Sequence, residues 1–277
     1  MNLAVVTDSA CDIPYDLIEQ YQIQVVPNIL IIEGQSIEDN REFSRQDFYA
    51  RLPEMRSFPT TSTASVGVYQ ALYEKLFKDG FEEIISIHVA HTLSGIFSTA
   101  SLAAQAFSDK VHVFDSGQVS LGMGFQVLAV AEAISQGLSK EAVIAHLEDV
   151  RKRIHLVAML DTMEFIRRSG RVSWARARLG NLLHLKPFVE VKEGMVLSLG
   201  EVRTRRKGVE RLLEIMRGVG PLERLAILHS NAEMDAHNLL ESLSPQLSAP
   251  PLIVNITTVI GAHVGPNGLG FVSVIAG

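Results

Sequence analysis

The order of apolar segments predicts an α/β protein of two domains: a parallel sheet flanked by helices over residues 1–153, then a second α/β domain with a mixed sheet over 154–277. Two patterns and one size argument carry this expectation. In the first half, short strand-like runs alternate with helical patterns, as a parallel sheet with helical crossovers requires. In the second, a hairpin pattern interrupts that alternation: Lys186–Val191 and Met195–Leu199 flank Glu193-Gly194. At 277 residues with 47% hydrophobic side chains, the chain is long enough for more than one core.

Each element has a local reason. Leu3–Val6 is a strand that runs into Thr7-Asp8-Ser9. A helix follows from Pro14 to Tyr21, with proline where its missing N–H costs nothing. Val25–Ile32 reads as a second strand and Arg45–Leu52 as a short helix. Thr60–Ser65 then leads into the helix Val66–Lys78. Strand Glu83–His88, helix Ser94–Phe107, strand Val111–Phe114 and helix Gly122–Ser135 complete the first domain. The second opens with strand Ile154–Leu160 and short helices Met163–Arg168 and Trp174–Leu182. After the hairpin come helix Thr204–Gly218, strand Leu225–His229, helix Ala232–Leu243, strand Leu252–Thr258 and strand Gly270–Ile275. Between the last two lies Gly261–Gly270, expected to be a glycine-rich loop carrying His263.

Composition narrows the function. No apolar run approaches the ~20 residues of a membrane span, and no basic segment precedes the first strand, so no stable membrane insertion and a cytoplasmic location are expected. The single Cys11 excludes an internal disulfide and a cysteine-rich zinc site. Net charge is −6, but Arg151–Arg217 holds 16 of the 25 basic residues against 7 acidic ones, a local +9. Such a face serves an acidic partner, nucleic acid, or nothing beyond solvation. Only 6% of residues are aromatic and no nucleic-acid-binding signature is present, so nucleic acid is not expected as a partner.

The chemistry points to the strand ends. In open parallel sheets ligands bind beyond the carboxyl ends of the strands. Here Thr7-Asp8-Ser9, His91-Thr92-Leu93-Ser94-Gly95 and Asp115-Ser116 end strands, and Thr61-Ser62 precedes a helix. A hydroxyl beside a glycine at a helix start offers unpaired N–H groups and close approach to an anion. Converged, these turns would form a pocket of neutral donors suited to an anionic headgroup; unconverged, each is a helix cap. An enzyme acting on a small anionic metabolite would use the same cleft. G-x-S-x-G, G-x-x-x-x-G-K-[ST], H-E-x-x-H and G-x-G-x-x-G after the first strand are absent, and His88 with His91 lacks neighbouring metal ligands.

Seven motifs occur in the order and spacing of one family. They are Thr7-Asp8-Ser9-Ala10-Cys11-Asp12-Ile13-Pro14, Pro59-Thr60-Thr61-Ser62, Leu93-Ser94-Gly95, Asp115-Ser116, Ser169-Gly170-Arg171-Val172, Leu185-Lys186-Pro187 and Gly261-Ala262-His263-Val264-Gly265-Pro266. Over its whole length the chain resembles the DegV family, in particular its FakB-type fatty-acid-binding members. The resemblance implies a two-domain DegV-like fold with a long-chain fatty acid (palmitate, oleate or stearate-like) buried between the domains. It implies no metal, no cofactor, and a carrier rather than an enzyme. The bound acid would be presented to a FakA-like fatty acid kinase, which makes an acyl phosphate for phospholipid synthesis. By the same resemblance, Thr61, Ser94 and His263 would bind the carboxylate, with Ser62 and the Gly95 N–H beside them; the strand-end turns would add Ser9 and Ser116 as further polar groups of the pocket. Arg171, Arg203 and Arg205 would dock the kinase. Two positions depart from the family pattern: Ser169 replaces a glycine before Arg171, and Asn267 stands where glycine usually follows Gly265-Pro266. Asparagine tolerates positive φ, so the second change is compatible with the loop.

Overall fold

A computed structural model describes residues 2–177, 185–243, 247 and 249–277. In chain order the elements are β1 (Leu3–Asp8), α1 (Tyr15–Gln20), β2 (Gln24–Val26), β3 (Ile29–Ile32), β4 (Gln35–Glu38), α2 (Arg45–Arg51), β5 (Thr60–Ser62), α3 (Val66–Lys78), β6 (Glu83–His88), α4 (Ile96–Ala104), β7 (Val111–Asp115), α5 (Leu121–Ser135) and α6 (Lys140–Arg153). The second half continues with β8 (Ile154–Met159), α7 (Glu164–Ser169), α8 (Ser173–Ala177), β9 (Lys186–Lys192), β10 (Met195–Val202), α9 (Arg205–Gly218), β11 (Leu222–His229), α10 (Glu233–Glu241), β12 (Leu252–Asn255), α11 (Thr258–Val264) and β13 (Leu269–Ile275).

The described residues form three sheets. The first is parallel, in the order β2-β1-β6-β7. Every residue of β1 is buried, as a strand covered on both faces requires. The second is mixed, in the order β10-β9-β8-β13-β11-β12, with β11 and β12 its parallel pair. The third is a small antiparallel sheet, β4-β3-β5, in which Leu30 faces Thr61.

Helix α5 joins the two large sheets. Twelve of its 15 residues are buried, so it has no solvent face, and it packs on β1 and β6 on one side and β8 and β13 on the other. One apolar cluster therefore runs from Val6 and Ile85 through α5 to Leu156, Leu228 and Val272. A second cluster lies under α9 and α10, where Gly208, Leu212 and Met216 recur every four residues along the buried face of α9. Ser44, Ser139 and Thr204 start their helices by accepting a backbone N–H three residues on.

Several expectations are corrected. The strand over Val25–Ile32 is two strands in different sheets, because Pro27 has no N–H for the ladder and the chain turns at Asn28. Thr61 and Ser62 sit on a strand rather than in the turn before α3, which begins after Ser65. His263 lies on a two-turn helix, α11, and the strand before it ends at Asn255. α6 is an element the sequence reading does not assign. The end of the helix expected over Trp174–Leu182 lies outside the described residues.

Candidate functional site

A cavity of about 340 Å³ opens between the large sheets, below the small one. Its wall is aliphatic: Leu156, Ala158 and Leu160 of β8 and the residue after it, Val189 and Val191 of β9, and Ile256, Val259 and Ile260 around α11. Strand alternation explains the first two groups, since every second residue of β8 and β9 faces the cavity while Val157, Met159 and Phe188 pack beneath α9.

Five of the predicted carboxylate ligands, Thr61, Ser62, Ser94, Gly95 and His263, line this cavity, and the exposed Ser62 and Gly95 mark where it opens. Thr61 Oγ1 lies 2.8 Å from His263 Nε2. Ser94 Oγ accepts the N–H of Ile96 at 3.4 Å, leaving its O–H without a protein acceptor among the described residues. A Cβ built at Gly95 would meet nothing within 4 Å, and its φ is an ordinary −75°, so this glycine serves access rather than backbone strain. Gly265 is the opposite case. Its φ is +79° and a Cβ there would sit 2.4 Å from the Phe165 ring, so only glycine lets the chain leave α11 this way. Asn267 adopts φ +60°, as its tolerance of that region allows.

Burial pushes His263 down to about 4, and the nearby positive charge of Arg171 acts in the same direction. The imidazole is neutral at physiological pH. A neutral ring can hydrogen-bond a carboxylate without forming a tight ion pair with it.

Ser9 and Ser116 do not line the cavity. Ser9 Oγ accepts the backbone N–H and the side-chain amide of Asn28, and Ser116 Oγ donates to Gln118 O and accepts its N–H. The first strand-end turn is instead a buried polar network in which Asp8 accepts from Ala10 N, Asn28 Nδ2 and His88. Asp12 accepts from Ser120, from Thr257 N–H at 2.6 Å and from Arg45. Of the four segments expected to converge, Thr61-Ser62 on β5 and the turn at Ser94-Gly95 reach the cavity, and the turns at Ser9 and Ser116 brace the strands beside it.

The basic residues differ among themselves. Arg171 is exposed, lines the cavity mouth and donates to Ser169 O at 2.7 Å. Arg203 is exposed on the approach to α9. Arg205 is tied down by Asp235, by Asn267 O and by Asp161 at 3.8 Å.

Sequence reasoning missed Asn28, Thr63, Ser120, His229 and Ser230, which also line the cavity. His229 ends β11 and Ser230 follows it, so the strand-end rule applied to the second sheet would have found them. Ser230 donates to Gly265 O and accepts the Gly268 N–H, closing the turn that follows α11. His229 Nδ1 accepts the Ala232 N–H, and burial holds its pKa below the ordinary value. Among the described residues there is no cluster of three metal-ligating side chains, and no helix is long and apolar enough to cross a membrane.

Comparison with known proteins agrees with this architecture. The DegV family model matches residues 2–276. Protein DegV of Bacillus subtilis strain 168 is 34% identical over 277 residues, 98% of each chain. Among solved structures, a Thermus thermophilus DegV family protein described for its fatty acid binding superposes with a TM-score of 0.92 at 33% identity over the whole of both chains. Bacillus subtilis DegV, described as a fatty acid binding protein, gives 0.88 at 33% identity, again over both whole chains. With family motifs, sheet topology and full-length similarity in agreement, the chain belongs to the DegV family.

Proposed function

We propose that the protein is a long-chain fatty-acid carrier that buries the acyl chain between its 1–153 and 154–277 halves and presents the carboxylate to a fatty acid kinase for acyl-phosphate formation. The observation that carries this reading is the aliphatic cavity with Thr61, Ser62, Ser94, Gly95 and His263 where it opens. An apolar cavity is a poor site for water and a good one for hydrocarbon. Burial of each methylene contributes about 0.8 kcal/mol, so the tail supplies most of the affinity and the headgroup donors supply orientation. Fatty acid binding by the Thermus thermophilus and Bacillus subtilis proteins supports the same ligand class.

In this reading the protein holds and the kinase reacts. Neutral hydroxyls and a neutral imidazole fix the carboxylate while leaving an oxygen able to attack a phosphoryl donor in the partner. The exposed Arg171 and Arg203 form the docking face, with Arg205 bracing it, and the carrier works in the cytoplasm. The test is to load the delipidated protein with oleate and add a fatty acid kinase and ATP. Acyl phosphate should form only when the carrier is present; kinase turnover on free oleate at an equal rate would contradict the presenting role.

A further inference from the structure

The small sheet β4-β3-β5 is joined to α11 by a contact that the headgroup residues do not include. Asp39 follows β4, is 6% exposed, and is anchored to the start of β3 by its N–H, which donates to Asn28 O at 2.8 Å. Its two carboxylate oxygens take different hydroxyls: Thr258 Oγ1 donates to Oδ1 at 2.7 Å and Thr257 Oγ1 donates to Oδ2. Both threonines are fully buried, and they are the cap and first residue of α11. β5 of the same sheet carries Thr61, and the far end of α11 carries His263. One rigid unit thus supplies Thr61 directly and sets the helix that supplies its partner.

Resting on the carrier reading above, we propose that Asp39 is a positioning residue of the carboxylate site: by clamping the start of α11 to the small sheet it fixes the Thr61–His263 pair, and so sets the preference for an ionised carboxyl group over a neutral headgroup. His263 follows Thr258 by five residues, about 7.5 Å along a helix. The clamp and the imidazole are joined through a helix held by internal hydrogen bonds, Gly261 N–H to Thr257 O and Gly265 N–H to Gly261 O, so the clamp sets where the imidazole stands. Burying a carboxylate is costly, and apolar side chains at these three positions would avoid that cost. What the carboxylate adds is geometry, because two directional bonds to adjacent residues fix both the position and the rotation of the helix. Asp12 adds a third restraint through the Thr257 N–H, and Tyr49 a fourth, donating to Ile256 O at 3.1 Å while its ring packs where a Cβ on Gly261 would stand.

The test compares two ligands with one tail. Delipidated wild type, Asp39→Ala and Thr258→Val are titrated with oleate and with oleyl alcohol. Wild type should favour oleate by about tenfold or more, the difference a charged hydrogen-bonded headgroup makes. Asp39→Ala should lose most of that preference while its affinity for the alcohol stays within about twofold. Thr258→Val should move the ratio in the same direction, and the double variant should lose less than the sum, because both changes break one contact. Equal weakening of both ligands would show a merely structural role and overturn the assignment, as would an unchanged ratio. If Asp39→Ala does not fold, the Thr258→Val ratio decides. Wild type that binds both ligands without preference overturns the inference alone, whereas wild type that binds neither overturns the carrier reading itself.

Discussion

Thr61 Oγ1 and His263 Nε2 are 2.8 Å apart although 202 residues separate them in the chain. β5 belongs to the small sheet and α11 follows β12 of the mixed sheet, so the two meet only in the folded chain. The pair is therefore a product of the complete tertiary structure, and the proposed carboxylate site draws on both halves of the chain.

In the proposed carrier, Ser94 is the residue whose loss should separate holding a ligand from presenting it. Ser94→Ala removes one donor, which at a charged headgroup is worth about 1.5 to 3 kcal/mol, well below the sum over a long tail. Oleate should still load stoichiometrically by mass. Acyl-phosphate formation from the loaded variant should fall by more than its affinity does, because a loosely held carboxylate spends less time in attack geometry. Full-rate turnover would make Ser94 a helix cap and no more.

Two buried groups titrate in opposite senses between pH 4 and 7. The unfolded chain protonates His263 near 6.5 and the folded protein near 4, so acidification through this window removes stability. Burial raises Asp12 from 3.8 to about 6, so there the folded protein takes up its proton first and acidification adds stability. Melting of ligand-free variants should resolve them: from pH 7 to pH 5, His263→Gln should gain on wild type and Asp12→Asn should lose ground. Parallel pH profiles would contradict the assigned burial.

The basic face should divide under charge reversal. Arg205→Glu places a carboxylate beside Asp235 and Asp161 and frees Asn267 O, and should cost on the order of 2 kcal/mol, seen as a fall of several degrees in Tm. Arg171→Glu, exposed at the cavity mouth, should leave Tm within about a degree and slow kinase-dependent turnover at low salt. Equal melting of the two variants would contradict the division.

Two glycines should respond unequally to a methyl group. Gly265→Ala meets both a positive φ and the Phe165 ring and should destabilise by at least ~2 kcal/mol. Gly95→Ala meets open space and should melt like wild type while weakening oleate binding, since its methyl group stands where the headgroup would lie. Thermal melts and oleate titrations of the two variants check both statements.

Much of this was legible in the sequence where the physical signal is periodic. β1, β6 and β7 are largely apolar runs and α5 is apolar along most of its length, so the parallel sheet and its turns at Ser94 and Asp115 are legible directly. The small sheet could not. β4 is Gln-Ser-Ile-Glu and β5 is Thr-Thr-Ser, and edge strands this short and polar carry no alternation. The sequence assigns Leu252–Thr258 to a strand and Gly261–Gly270 to a loop, whereas Thr258–Val264 is a helix; β-branched residues favour strand locally, and the start of this helix is held by Asp12, Asp39 and Tyr49, more than 200 residues away. For the same reason Ser9 and Ser116 looked equivalent to Ser94, since a hydroxyl at a strand end gives no sign of whether it faces a cavity or a neighbouring backbone.

Whether the cavity holds a fatty acid is decided by mass spectrometry of the protein purified without added lipid. Native spectra should show the chain carrying one added mass of a long-chain fatty acid, and the denatured extract should return that acid in near-stoichiometric amount. A bare chain that also takes up neither oleate nor palmitate on incubation would show that the cavity is not a fatty-acid site.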